Sequence, residues 1–226
     1  MNSFEKTLTE VSEQPIAILD TAIHLNTYTN LDLSVHNTAL NSIDITQPTE
    51  CQKYIDTILH SNKATVAYGG YLEERNLYAD KSNFSENKDA LRNIHLGLDF
   101  WTKVGTKVLV PIKGIVHSFK NNAVKGDYGP TIILSHNTGG IEFYTLYGHL
   151  TIASLDKLYV GKVFEDGEVL GTIGETAINV NYAPHLHFQI IKNIALYMGD
   201  YPGVCTKKDL PFYAENSPNP NLLLKV

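Results

Sequence analysis

From residue 64 onward, short apolar runs alternate with glycine-rich breaks: ATVAY, KVLVPIKGIVHSF, TIILSH, IEFYTLYGHL, KVF, EVLGTI and HLHFQII. Runs this short, rich in β-branched and aromatic residues and with no long helical pattern between them, predict an antiparallel sheet or barrel. HNTGG, between TIILS and IEFYTL, predicts a hairpin connection. Two stretches echo each other, VGTKVLVPIKGIV (104–116) and VGKVFEDGEVLGTIG (160–174), each running Val-Gly, strand, turn, strand. Upstream the pattern is weaker. TYTNLDLSV (27–35) reads as extended, and TECQKYIDTILHS (49–61) as an amphipathic helix with Cys51, Tyr54, Ile55, Ile58 and Leu59 on one side. Thr49 with Gln52 fits a capping box, and His60 suits the partial negative charge of the last turn. The expected division is a helix-containing extension over residues 1–65 and a mostly β domain with minor α over 66–226.

Composition narrows the function. With 43% hydrophobic and 19% charged residues, the 226-residue chain has material for a packed core. A net charge of −6 with two arginines argues against a nucleic-acid binder. Cys51 and Cys205 are too few for a disulfide scaffold or a thiolate zinc site. The first twenty residues hold no continuous apolar stretch, and no run approaches the ~20 residues of a membrane span. The sequence as written therefore predicts a cytoplasmic protein, or a periplasmic or extracellular one if an export sequence precedes it.

The nine histidines are the chemistry to weigh. In PHLHFQI, His185 and His187 stand two apart, so on a strand they share a face. In NIHLGLDFW, His95 and Asp99 are four apart, an even separation that also shares a face on a strand. Imidazole and carboxylate are good ligands for divalent zinc, whose catalytic sites keep three protein ligands and one open place. Two strands, one giving His and Asp and the other His, would supply that set and one histidine more. The extra histidine can move a proton or stabilise developing charge. His149 ends the strong strand of TLYGHL and is a further candidate. His136, His117, His24 and His36 read as structural, Trp101 and Phe100 as core.

The ordered set HLGLD, YTLYGHL and PHLHF resembles the lysostaphin-type zinc endopeptidases, metallopeptidase family twenty-three, over roughly residues 93–190. LDLSV, VAYGGYLEERNLY, GDYGPTIIL, GDYPGV and NPNLLL further resemble a subgroup whose peptidase domain is joined to a kinase-like domain and a class III aminotransferase. The resemblance implies a duplicated, barrel-like antiparallel sheet with a narrow groove across the metal. It implies one zinc ion per chain held by His95, Asp99 and His187, with His149 and His185 as the catalytic pair. His185 is the better base, and His149 stabilises the oxyanion or protonates the leaving amine. The implied reaction is hydrolysis of peptide bonds in short glycine- or D-alanine-containing peptidoglycan cross-links. Tyr147, two residues before His149 and so expected on the same strand face, is a candidate substrate contact. Tyr71, Glu74 and Arg75 are candidates to line one end of the groove. Association with metabolic enzymes is implied only by the subgroup.

Two departures stand out. GETAINVNYAP replaces the Gly-Ser/Thr-rich turn the family often carries before H-x-H, and Gln189 stands where a glutamate is common. Gln189 is expected to face the same way as the histidines without being catalytic. Three other functions compete: a hydrolase of small cytosolic amides, a metal- or peptide-binding module without catalysis, and a carrier barrel of the biotin or lipoate type. The carrier reading lacks a modifiable lysine at a recognisable hairpin tip, since neither PIKG nor FEDG resembles one.

Overall fold

A computed structural model describes residues 1–77, 91–124 and 126–226. The chain opens with helix α1 (Ser3–Glu10), whose first turn is closed by a reciprocal capping box between Asn2 and Glu5. Strand β1 (Tyr28–Asn30) and helix α2 (Pro48–Ser61) follow. Helix α2 buries Cys51 and Ile55, as its periodicity predicts, but it is not opened by a Thr49–Gln52 box. Pro48 occupies the first turn and Gln47 is the cap residue, with no side-chain cap bond; proline's fixed φ suits that position.

The strands are β2 (Val66–Gly69), β3 (Ile94–His95), β4 (Leu98–Trp101), β5 (Lys107–Leu109), β6 (Gly114–Asn122), β7 (Gly129–Thr138) and β8 (Ile141–Gly148). These are followed by β9 (Val163–Phe164), β10 (Val169–Thr172), β11 (His185–Ile191) and β12 (Val204–Cys205). Eight form one sheet in the order β1-β2-β4-β11-β8-β7-β6-β9, antiparallel except for the parallel pair β1–β2. The fold is mostly β, and the expected barrel is not closed: among the described residues the sheet runs open from β1 to β9. The β7–β8 hairpin turns at Gly139 and Gly140, both at positive φ (60° and 79°), the backbone of a two-residue primed turn. The two echoing stretches trade partners, β5 pairing with β10 and β6 with β9.

One face of the sheet carries the main core, where Phe100, Tyr147, Phe188 and Ile190 are buried with Phe4, Leu8, Ile18 and Leu19 from the start of the chain. Helices α3 (Leu210–Asn216) and α4 (Asn221–Leu224) end the described chain, and Leu223 and Leu224 join the same core. A second cluster sets α2 against Ala67 and Trp101. Because strand side chains alternate, covering the face of Phe100, Leu186 and Phe188 turns Asp99, His185 and His187 to the other face.

Candidate metal and catalytic site

Strand pairing brings the donors together. Strands β4 and β11 are neighbours, and their register sets Asp99 directly opposite His187 and Trp101 opposite His185. His95 arrives differently from the single strand expected. The chain leaves β3 at Leu96 and Gly97 before β4 begins, and β3 pairs with β12 in a separate two-stranded ladder. Gly97 is required there: a Cβ at that position would lie 2.5 Å from His187 Cε1 and 2.7 Å from Nε2. The glycine of HLGLD makes room for the third donor's ring.

Three atoms converge. His95 Nε2 lies 2.9 Å from His187 Nδ1, His187 Nδ1 lies 3.0 Å from Asp99 Oδ1, and His95 Nε2 lies 3.2 Å from Asp99 Oδ1. Ligand atoms about 2.0–2.1 Å from a tetrahedral zinc lie about 3.3 Å apart, so this triangle is one face of such a tetrahedron to within a few tenths of an ångström. Two imidazoles and a carboxylate, all at least 98% buried, could therefore hold a metal ion with the fourth direction open.

Each donor is held from behind, which fixes its tautomer or orientation. His95 Nδ1 donates to Gly70 O at 2.9 Å, so Nε2 is the lone-pair nitrogen. His187 Nε2 donates to Gln189 Oε1 at 3.1 Å, leaving Nδ1 bare. Gln189 is oriented in turn, its Nε2 donating to Pro202 O at 3.2 Å and Ser217 Oγ at 3.0 Å. Asp99 Oδ2 accepts from Arg75 Nη1 at 2.6 Å. Burial alone would raise the Asp99 carboxyl. The neighbouring His95 and the Arg75 guanidinium outweigh it and hold the group well below the usual carboxylate range. Burial and the Arg75 charge push His95 down to about 4, which keeps it neutral at physiological pH.

His185 and His149 flank the triangle. His185 Nδ1 donates to Ala183 O at 2.7 Å, so its lone pair is on Nε2, 4.0 Å from Asp99 Oδ1. Trp101 stacks on the His185 ring, with centroids 5.7 Å apart and planes at 22°. The rings of His149 and His185 lie 4.1 Å apart, and burial lowers the pKa of both. His149 sits at φ 62°, with its N–H donating to Tyr128 O and its carbonyl accepting from Gly174 N–H. A cavity of about 280 Å³ opens over these groups, lined also by Tyr128, Tyr182, Asp127 and Asp200.

Three expectations are corrected. Tyr147 does not share a face with His149, because β8 ends at Gly148 and the left-handed backbone of His149 interrupts the alternation. Tyr147 pairs in register with Phe188, is wholly buried in the main core, and its hydroxyl meets Thr145 Oγ1 at 3.1 Å. Tyr71 does not line the cavity; its hydroxyl donates to Ser217 O at 2.9 Å. Neither does Glu74, which is exposed and accepts from Asn93 Nδ2. Arg75 does reach the cavity, but as a 1% exposed group paired with Asp99 and Glu73 at its floor. Tyr78, the last residue of VAYGGYLEERNLY, lies outside the described residues. Tyr128 and Tyr182, whose rings pack within about 6 Å of His149, are lining residues that spacing did not single out. A tyrosine in a turn carries no periodicity to mark it; only its place in GDYG and NYAP sets it apart.

Residues 93–197 match the family model for peptidase family M23. A Haemophilus influenzae protein described as an uncharacterized metalloprotease is 36% identical over 95 residues, covering 42% of this chain and 18% of the relative. The chain thus spans under a fifth of the curated relative it matches. Similar solved structures include the catalytic domain of the antimicrobial peptidase lysostaphin from Staphylococcus simulans (24% identity, 54% of this chain, 80% of that one, TM-score 0.38). Another is a zinc-containing peptidase from Vibrio cholerae (24% identity, 47% of this chain, 30% of that one, TM-score 0.36).

Proposed function

With residues 93–197 matching the model for peptidase family M23, we propose that the chain is a zinc-dependent endopeptidase of that family acting on short peptides of the peptidoglycan cross-link kind. The observation that carries the reading is the triangle of His95 Nε2, Asp99 Oδ1 and His187 Nδ1, with sides of 2.9, 3.0 and 3.2 Å. Nitrogen and carboxylate donors in three-fold array suit zinc, while the all-oxygen preference of magnesium and calcium does not fit them. A zinc ion held by these three residues supplies a Lewis acid that lowers the pKa of water toward ~7 and polarises a carbonyl.

The remaining chemistry belongs to the protein. His185 is neutral, its Nδ1–H is spent on Ala183 O, and its Nε2 lies 4.0 Å from the Asp99 oxygen of the triangle. It is therefore placed to take a proton from a water beside that oxygen. His149, with its ring against that of His185, is on hand for the oxyanion or for the leaving amine. Trp101 stacks on the His185 ring, and Tyr128 and Tyr182 both pack against the His149 ring. The cavity above the triangle gives a peptide access to it, and the choice of glycine- or D-alanine-containing peptides rests on the family resemblance.

The test is digestion of purified peptidoglycan and of short glycine- and D-alanine-containing peptides by zinc-loaded protein, with mass analysis of the products. New amino termini are expected, and His185→Ala should retain about one zinc per chain while turnover falls by about 10²–10⁴-fold. Undiminished turnover in that variant removes His185 from the proton-transfer role. Loaded protein that leaves every one of these substrates intact overturns the substrate class.

A further inference from the structure

Apart from Gln189, the groups behind the donors, and the two that anchor Gln189 itself, come from outside the family-matched segment. Gly70, Glu73 and Arg75 precede residue 93, and Pro202 and Ser217 follow residue 197. Among them Arg75 carries the only full charge that touches a donor directly.

We infer that Arg75 is a positioning residue for the metal site, holding Asp99 as a one-oxygen ligand. The inference rests on reading His95, Asp99 and His187 as a metal-binding set. Asp99 Oδ1 belongs to the donor triangle, and Arg75 Nη1 occupies Oδ2 at 2.6 Å. A carboxylate tied through one oxygen cannot swing to present both to the same ion, so the fourth coordination direction stays open for water and substrate. The guanidinium cannot follow Asp99 either. Its Nε donates to Glu73 Oε2, and its plane lies over Trp101 with Cζ 5.5 Å from the ring centroid. Glu73 is anchored in its turn, since Oε1 accepts from Leu33 N–H at 3.0 Å.

The backbone around Arg75 is aligned with the donors. Arg75 N–H donates to Asn93 O, His95 N–H to Glu73 O, and Leu72 N–H to His95 O, each at 2.9 Å. The 70–75 segment is thus zipped along β3, and the same hydrogen bonds fix Arg75 relative to His95. Gly70 completes the fit: at φ 104°, a side chain there would overlap Arg75 Nη2 and approach His95 Nδ1 to 3.1 Å. Leu33, Glu73, Arg75 and Asp99 therefore form a continuous chain of contacts from the N-terminal part of the molecule to the site. A buried arginine that only filled space would not need its fork divided between two carboxylates.

The test reads metal binding, not turnover. Zinc affinity is measured by competition with a chromophoric chelator, and the visible absorption of the cobalt(II)-substituted protein reports coordination number. Wild type is expected to bind one ion and to give the intense absorption of a four-coordinate cobalt site. Arg75→Met should weaken zinc binding about 10–100-fold, the usual cost of removing a partner that orients a ligand. Its cobalt absorption should weaken as Asp99 engages through both oxygens. Arg75→Lys, which keeps the charge but not the fork, should recover part of both. Glu73→Gln, which loosens the guanidinium without removing it, should weaken binding several-fold. If Arg75→Met does not fold, the lysine and Glu73 variants carry the comparison. Unchanged zinc affinity and an unchanged cobalt spectrum in the folded variants would overturn the inference and leave Arg75 a structural residue. Wild-type protein that binds no zinc would overturn the metal reading itself, a distinguishable result.

Discussion

The segment of residues 93–197 and the stretches on either side of it divide the site by kind of work. All three donor atoms, both flanking histidines and the strands β3, β4 and β11 that carry the donors lie within that segment. Most of the orienting groups lie outside it. His95 is held by Gly70 and Asp99 by Arg75, while the Gln189 that holds His187 is itself fixed by Pro202 and Ser217. The candidate donor atoms thus come from one continuous piece of chain, and their orientation depends on pieces 13 or more residues away from the groups they hold. The same division extends to stability, since Phe4, Leu8, Ile18, Leu19, Leu223 and Leu224 from the ends complete the main core under the strands that carry the donors.

The largest effect should follow from removing a donor. His187→Ala or Asp99→Ala takes away one corner of the triangle, and zinc content is expected to fall from about one per chain to below about a tenth. Elemental analysis of dialysed protein reads this directly. Retention of stoichiometric zinc in either variant would mean that the ion sits elsewhere.

Next comes a change in the flank that touches no donor atom. Gly70→Ala places a side chain against the Arg75 guanidinium at a backbone position, φ 104°, that L residues rarely adopt. The cost to folding should be on the order of 1–3 kcal/mol. Zinc affinity should drop at least as far as in Arg75→Met, because the new group disturbs the supports of His95 and Asp99 together. A loss of stability with zinc affinity intact would show the flank to be scaffold only, and the division of work proposed here would fail.

Much of this was legible in the sequence, and the boundary between what was and was not is physical. The H-x-H pair reads correctly because two residues on a strand share a face whatever the strand's neighbours are, and His185 and His187 do line one cavity. His95 and Asp99 converge for a different reason than their spacing suggested, since the chain bends at Leu96 and Gly97 between two strands. Tyr147 shows the limit of the alternation rule, which lapses at a residue such as His149 with positive φ. The helix over 49–61 has its predicted face, but its cap does not depend on the Thr49–Gln52 pairing because Pro48 already starts the turn. The orienting groups were the least legible. Nothing local at Arg75 announces a carboxylate 24 positions away, and nothing at Gln189 announces Ser217. Such contacts are set by which strands become neighbours, a long-range property that local periodicity does not encode.

The smallest expected effect is also the finest probe of how the two flanks cooperate. Tyr71, from the segment before residue 93, donates its hydroxyl to Ser217 O at 2.9 Å, and Ser217 Oγ accepts from Gln189. Tyr71→Phe removes one hydrogen bond and leaves the ring in place. Ser217 N–H still donates to Tyr213 O, so the segment keeps another attachment. The loss should be about 1 kcal/mol, or roughly 2–4 °C in Tm for a chain of this size. Zinc affinity should change less than about twofold, because Gln189 retains its second partner at Pro202 O. A change of tenfold or more would mean that the Tyr71–Ser217 contact transmits to His187 through Gln189. The two flanks would then act on the metal as one unit rather than as separate supports for separate donors.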